Sequence, residues 1–209
     1  MLFSGYIPVR RKNLLVAQKA LKKLCNCAIL HIKGGIAMLY LLEANYRESV
    51  KEFDFTDKMP YDENGFIYEY HGTKREDFED VISKMIDAQS GIGLPQGYVP
   101  ETVYFLWDND EIVGMFRFRH YLCESLIEGG GHIGYYIGEE FRGKGYGTKG
   151  LKLLLKETRD GLREDEFYLR VNKDNIASQR VILKNGGYVH HTSGDKVFLR
   201  ISKQGSACK

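Results

Sequence analysis

An α/β chain of the α+β kind, with helices flanking a mixed, mostly antiparallel central sheet, is predicted by three observations. Strand-like apolar runs come in adjacent pairs with turn residues between them, as at 102–107 and 112–119 around Asp108-Asn109-Asp110-Glu111. Runs of helical spacing lie between such pairs, as Phe78, Val81, Ile82, Met85 and Ile86 do. A glycine-rich loop, Phe141-Arg142-Gly143-Lys144-Gly145-Tyr146-Gly147-Thr148, separates a strand-like run from a leucine-rich helix. The predicted order is β-α-α-β-β-β-α-β-α-β-β. With 209 residues, 43% of them hydrophobic, one domain with a sizeable core is expected over 38–209.

Residues 38–42 read as a first strand and 43–53 as a short helix. A polar segment studded with aromatics covers 54–72. The helix over 74–89 opens with Glu76, Asp77, Glu79 and Asp80, acids that suit the positive end of its dipole. Residues 91–100, rich in Gly and Pro, form a loop. In the strand at 112–119, Phe116 and Phe118 alternate with Arg117 and Arg119. A connection over 122–130 leads to a strand at 132–137 and then to the glycine loop. The helix over 147–163 buries Leu151, Leu154, Leu155 and Leu162, and a strand follows at 166–171. The helix over 175–184 stops at Asn185-Gly186-Gly187, a C-cap signal. Runs at 188–192 and 197–201 close the sheet as a hairpin.

The glycine loop opens a helix, so its free N–H groups and the positive dipole end converge on one point, an anion site most often used for phosphate. The P-loop pattern is absent. Gly145-x-Gly147-x-x-Gly150 matches the dinucleotide fingerprint in form, but follows an antiparallel run rather than opening a parallel βαβ unit. A kinase glycine loop needs a catalytic His-Arg-Asp segment and far more chain after it. Arg142-x-x-Gly145-x-Gly147 resembles the pyrophosphate loop of the GNAT superfamily of acetyl-CoA-dependent N-acetyltransferases. Asn175-Ile176-Ala177-Ser178, running into Lys184-Asn185-Gly186, resembles that family's second signature. The resemblance covers 98–201 well and 38–97 only in its order of elements. Gly129 to Tyr135, which includes Gly-Gly-His-Ile-Gly-Tyr, is similar to a branch of predicted bacterial acetyltransferases.

The resemblance implies acetyl-CoA as acyl donor, no metal, and direct attack by a primary amine in a ternary complex. Arg142 through Thr148 (Gly143, Lys144, Gly145, Tyr146 and Gly147 between them) would wrap the pyrophosphate. The pantetheine arm would pair with backbone groups of Tyr135, Tyr136 and Ile137, and an N–H there would polarise the thioester carbonyl. Asn175 and Ser178 would meet the arm at the later helix; helix capping is an equal reading of Asn175. The tyrosine that many relatives use to protonate the leaving thiolate falls at Ile182, leaving Tyr188, Tyr136 or water for that step. For the base, Glu128 and His132 are candidates, with His120 and Glu124 nearby; a lone strand histidine is more often a packed structural residue. Alternation puts His132, Gly134 and Tyr136 on one face of their strand.

Residues 38–80 contain twelve acids and five bases, with aromatics among them. In this fold that region borders the acceptor, so a small-molecule or peptide amine of cationic character is expected; a solvated acidic face is the alternative. The same resemblance allows a homodimer. A non-catalytic acyl-CoA-binding or sensing module is the rival reading, encouraged by Ile182.

Four cysteines (Cys25, Cys27, Cys123, Cys208) are too few and scattered for a disulfide framework, which points to a reducing, cytoplasmic setting. Residues 1–37 carry seven Lys or Arg and no acid; the remainder holds 23 basic and 28 acidic residues, a net charge of −5. The body therefore offers no basic face for nucleic acid, and no apolar run reaches membrane-spanning length. Within the basic extension, Leu14, Ala17, Leu21 and Leu24 share a helical face, and a nucleic-acid or membrane role would rest there. Lys33-Gly34-Gly35 can be encoded by a purine-rich ribosome-binding sequence spaced before Met38, so translation is expected to start at Met38. Intact-mass measurement of the protein expressed from its natural gene checks this; a mass that includes residues 1–37 overturns it.

Overall fold

The computed structural model describes residues 28–204 apart from Lys33 and Gly34, with side chains from Met38 onward. The basic helix over 14–24, and Cys25, Cys27 and Cys208, lie outside the described residues. Strands β1 (Ala28–Ile32) and β2 (Gly35–Glu43) form an antiparallel hairpin, so the sheet reaches upstream of the strand expected at 38–42. Asn109, at the tip of the next hairpin, accepts from the Met38 N–H through its side chain and donates its own N–H to the Met38 carbonyl.

Helix α1 (Ser49–Thr56) begins six residues later than expected. The delay has a local cause: β2 runs to Glu43, and Asn45 caps a 3-10 turn by accepting from the Glu48 N–H at 3.1 Å. The polar segment that follows contains an unexpected small hairpin, β3 (Asp62–Glu63) and β4 (Phe66–Ile67). Its turn is Asn64-Gly65, both at positive φ (56° and 84°), the pairing that two-residue hairpins favour. Helix α2 (Phe78–Gln89) buries Phe78, Val81, Ile82 and Met85, as its spacing requires. Strands β5 (Glu101–Asp108) and β6 (Glu111–Arg119) form the central hairpin. A short helix α3 (Glu124–Ile127) precedes β7 (Ile133–Ile137). Then come α4 (Tyr146–Thr158), β8 (Glu166–Asn172), α5 (Ile176–Lys184), β9 (Tyr188–Ser193) and β10 (Lys196–Ser202).

The strands fall into a five-stranded sheet, β1-β2-β5-β6-β7, and a three-stranded sheet, β8-β10-β9, every registered pair antiparallel. The expected α+β class is observed, with the closing hairpin folded into its own sheet beside β8. Helices α4 and α5 cover one side, where Leu151, Leu154, Leu155 and Ile182 pack on Phe116, Phe118, Phe167 and Leu199. Helices α1 and α2 cover the other, with Phe53, Phe78 and Ile82 against Phe105, Trp107 and Met115. Among the described residues no helix is long and apolar enough to cross a membrane.

On the inner face of α1 Glu52 is fully buried, its carboxyl within reach of the Asn45 N–H at 3.3 Å. Burial pushes its pKa up to about 8, against a backbone hydrogen bond from Asn45 that lowers it. The folded state therefore holds a proton that the unfolded chain has lost, and stability falls as pH rises from about 4.5 through 8. Unfolding free energies from urea titrations at pH 5, 7 and 8.5 should decline for the wild type by an amount of the order of a few kcal/mol. Glu52→Gln should flatten this decline; an equal decline in the variant excludes Glu52 as its source.

Candidate active site

Strands β7 and β8 are facing edges of the two sheets, and they meet at one end only. There Gly131 bridges Leu169, and the His132 N–H donates to the Tyr168 carbonyl at 2.8 Å. The Tyr168 N–H in turn donates to His132 Nδ1 at 2.9 Å. A Cβ on Gly131 would lie 2.2 Å from that carbonyl oxygen, so this approach of backbones requires glycine. Beyond the neck the strands part around a cleft of about 240 Å³. Its walls are Gly134 and Tyr135 of β7, Leu169 and Val171 of β8, and Asn175, Ser178 and Ile182 at α5. The β3–β4 hairpin borders it with Glu63, Gly65 and Phe66.

The register fixes which backbone groups of β7 face this opening. The Gly138 N–H donates to the Val113 carbonyl and the Arg119 N–H to the His132 carbonyl, which makes Gly134 and Tyr136 the positions bonded to β6. The N–H and C=O groups of Ile133, Tyr135 and Ile137 therefore point to the open edge. Of the three positions expected to meet a pantetheine arm, Tyr135 and Ile137 have backbone groups at that edge, whereas those of Tyr136 are directed to Met115. The Ile137 carbonyl already accepts from Arg142 Nε at 3.1 Å.

The glycine loop follows directly. Gly143 and Gly145 sit at φ 75° and 84°, and Gly145 is the left-handed residue that opens α4 without any side-chain cap. Among the described residues no side chain caps the first-turn N–H groups of Tyr146, Gly147 and Thr148, which leaves a helix N-terminus suited to an anion. Lys144 is exposed, and Arg142 donates from Nη2 to Glu63 at 2.8 Å while its guanidinium lies 5.5 Å from the Tyr136 ring centre. The Tyr146 hydroxyl turns away, donating to Asp108 at 2.5 Å; that bond and burial push its pKa up to about 12. Asn185 Nδ2 donates to the Thr148 carbonyl at 3.1 Å, tying the first turn of α4 to the end of α5.

The residues expected to act on protons are placed apart. His132 is 0% exposed, packed between Phe118 and Phe167, ahead of the regular strand and off the alternation expected for it. Because Nδ1 accepts from Tyr168, the ring proton sits on Nε2, which donates to Glu164 at 3.1 Å. Burial holds its pKa below the usual value, with Glu164 opposing the shift. Both ring nitrogens are thus engaged in joining β7 to β8. Glu128 is exposed just beyond α3 and does not line the cleft. Tyr136 points into the opposite core beside Phe55 and Phe66, and Tyr188 donates to Glu166 on the surface. Asn175 caps α5 by accepting from the Ser178 N–H at 3.0 Å, and both residues line the cleft. Tyr135 stacks on Phe116; its buried hydroxyl has no hydrogen-bond partner among the described residues. Burial pushes that phenol up to about 12.

Three features of the site were not anticipated. The small hairpin brings Glu63 to Arg142 and sets Phe66 over Gly134, where a Cβ would stand 3.2 Å from its ring. Arg117 and Arg119 line the cleft, as does Glu69. The acids of residues 38–80 mostly go elsewhere: among them only Glu63 and Glu69 line the cleft, each opposite an arginine. The Asn64-Gly65 dipeptide could have revealed the hairpin, and arginines alternating with core phenylalanines in β6 could have revealed the second feature. Among the described residues no three His, Cys, Asp or Glu side chains are grouped to hold a metal ion.

The family model of the acetyltransferase (GNAT) domain matches residues 55–187. No curated protein matches the chain by sequence. Solved structures share its fold. A spermidine N-acetyltransferase from Vibrio cholerae, in complex with CoA and spermine, is 14% identical at a TM-score of 0.55, over 80% of this chain and 96% of that one. The GNAT domain of S. lividans PAT is 12% identical at 0.57, over 84% and 96%. The microcin C7 self-immunity acetyltransferase MccE, in complex with acetyl-CoA and AMP, is 19% identical at 0.52, over 78% and 92%.

The backbone at Gly145 generates one prediction. Gly145→Ala should destabilise the protein by about 1–2 kcal/mol, because the left-handed conformation penalises a Cβ. Gly161→Ala, where the added Cβ meets nothing within 4 Å and φ is not left-handed, should stay within about 0.5 kcal/mol. Urea denaturation of the two variants checks the contrast; equal losses would refute it.

Proposed function

Because the chain belongs to the GNAT acetyltransferase family, we propose that its cleft carries acetyl transfer from acetyl-CoA to a primary amine in a ternary complex. The observation that carries this reading is the continuity of an open β-edge with an uncapped helix N-terminus. The groups of Tyr135 and Ile137 lead to the loop at Arg142–Thr148, so one ligand whose extended arm runs into a pyrophosphate matches both. Gly143, Lys144, Gly145, Tyr146, Gly147 and Thr148 bind the anion through backbone groups, with Lys144 adding charge. Arg142 joins them by exchanging Glu63 for phosphate. Asn175 and Ser178 face the arm from α5. That MccE was solved with acetyl-CoA supports the choice of donor.

The chemistry then needs two proton movements. An alkylammonium acceptor has a pKa near ~10.4 and must lose a proton before its nitrogen attacks the thioester carbon. Nitrogen–carbon bond formation and carbon–sulfur bond cleavage release CoA as thiolate, and a proton taken up there yields the thiol. An N–H on the β7 edge polarises the carbonyl as charge builds on its oxygen. Glu69 is the carboxylate best placed as base: it borders the cleft, is half exposed, and is held only loosely by Arg117 at 3.5 Å. His132 and Glu128 lack that position. Ile182 offers no proton, so water in the open cleft serves the thiolate. A cytoplasmic acetyltransferase is the setting this reading favours.

Calorimetry with acetyl-CoA should show one-site binding that weakens about tenfold or more in Lys144→Ala paired with Arg142→Ala. Thiol release should then appear with at least one amine from a panel of amino acids, peptides, aminoglycosides and polyamines. Glu69→Gln should lower kcat by about a hundredfold while acetyl-CoA still binds. Binding without turnover on any amine would instead favour the acyl-CoA-sensing module that Ile182 suggests.

A further inference from the structure

Arg117 and Arg119 are alternate residues of β6, on the face turned away from Phe116 and Phe118, and Arg117 stands opposite Gly134 of β7. The Arg117 side chain is only 8% exposed, yet its contacts are all long. Nη1 lies 3.5 Å from Glu69, Nε 3.4 Å from Glu101, and Nη2 donates to the Ile67 carbonyl at 3.3 Å. Nε is buried without a hydrogen bond, an unusual state for a guanidinium with five donors. Arg119 leans on the same Glu101 at 3.6 Å and donates to the Gly131 carbonyl at 3.1 Å. One buried and one partly buried cation thus share one carboxylate between them, with Glu69 half in solvent.

A second cavity, of about 600 Å³, lies beside the first, between the end of α2 and the loop before β5. Glu69, Arg117 and Arg119 line both. Around the two cavities the cations are Lys84, Arg117, Arg119 and Arg170, and the carboxylates are Glu63, Glu69, Asp87 and Glu101. The two sets are equal in number, but Glu63 is taken by Arg142, and Glu69 and Glu101 reach Arg117 only at 3.5 and 3.4 Å. The buried Arg117 guanidinium, with no close ion pair and one N–H unsatisfied, marks a place in the joint space where a further carboxylate would be held.

We propose that the acceptor amine carries a carboxylate, which Arg117 and Arg119 hold at the wall shared by the two cavities. The proposal rests on the acetyl-transfer reading of the cleft. An arginine fork matches a carboxylate in two parallel hydrogen bonds, and the desolvated setting strengthens them. Neighbouring strands lie about 4.8 Å apart, so the nitrogen of an amino acid, or of an acidic residue at a peptide terminus, reaches the β7 edge while its carboxylate stays on the guanidinium. Glu69, displaced from Arg117, turns to water or to the amine. A polyamine entering the same place meets two fixed like charges.

The test uses the full chain with acetyl-CoA and measures thiol release with matched acceptors: amino acids and their carboxamides, phosphoethanolamine and ethanolamine, and spermidine. The expected result is a kcat/KM at least tenfold higher for a carboxylate than for its carboxamide. Arg117→Gln and Arg119→Gln should each drive that ratio toward one, with Arg117→Lys retaining part of it. If Arg117→Gln fails to fold by circular dichroism, the wild-type ratio and Arg119→Gln still decide. Equal use of the carboxamide, or preference for spermidine or the phosphate ester, overturns the inference and leaves acetyl transfer standing. Absence of acetyl-CoA binding in calorimetry overturns the functional reading and this inference with it.

Discussion

The structure depends on two edge strands that are joined at a neck and free beyond it. Backbone edges attract partners, and an exposed pair of N–H and C=O rows normally closes into one sheet. Here closure stops because the His132 ring, rather than a backbone carbonyl, receives the Tyr168 N–H, while Glu164 fixes the other ring nitrogen. Glu164 also accepts from the Leu122 N–H, so the segment entering β7 is tied to the same point. The neck spends a buried, neutral histidine to keep two sheet edges apart. The cleft is the space that results.

Charge is arranged around that space with economy. The small hairpin is held at one end by Arg142 through Glu63 and at the other by Arg117 through the Ile67 carbonyl. Both arginines stand at positions where an anion would compete with the hairpin for them. Exposed ion pairs are weak, typically about 0–1 kcal/mol, so the Glu63 contact exchanges its partner at little cost. The buried Arg117 is different, since removing its partners leaves a charge without water.

Much of this was legible in the sequence because it follows from local chemistry. The period of Phe78, Val81, Ile82 and Met85 located a helix face, the Asp108–Glu111 turn located the central hairpin, and the glycines at 143, 145 and 147 located the loop. What the sequence hid was long-range. Nothing local shows that Ala28–Ile32 pairs with β2, or that the hairpin at 62–67 reaches Arg142. His132 read as a residue on a regular strand, but Gly131 at φ 65° turns the chain before it and sends the ring into the core between sheets. The acids of the first half read as a field around the acceptor, but α1 directs Glu52 inward and Asp54 toward Arg75.

The cleft can also be regarded as a braced frame. Its two sides are fixed to each other at the neck, and a second tie runs from Asn185 to Thr148 behind the opening. Between the ties α4 and α5 set the spread, and they approach closely because residue 147 has no side chain: a Cβ there would stand 3.3 Å from Val181. The gauge of the slot is therefore a dimension written into helix packing, and a methyl group on Gly147 would press at once on Val181 of α5 and on the Ile137 and Tyr135 side chains of β7.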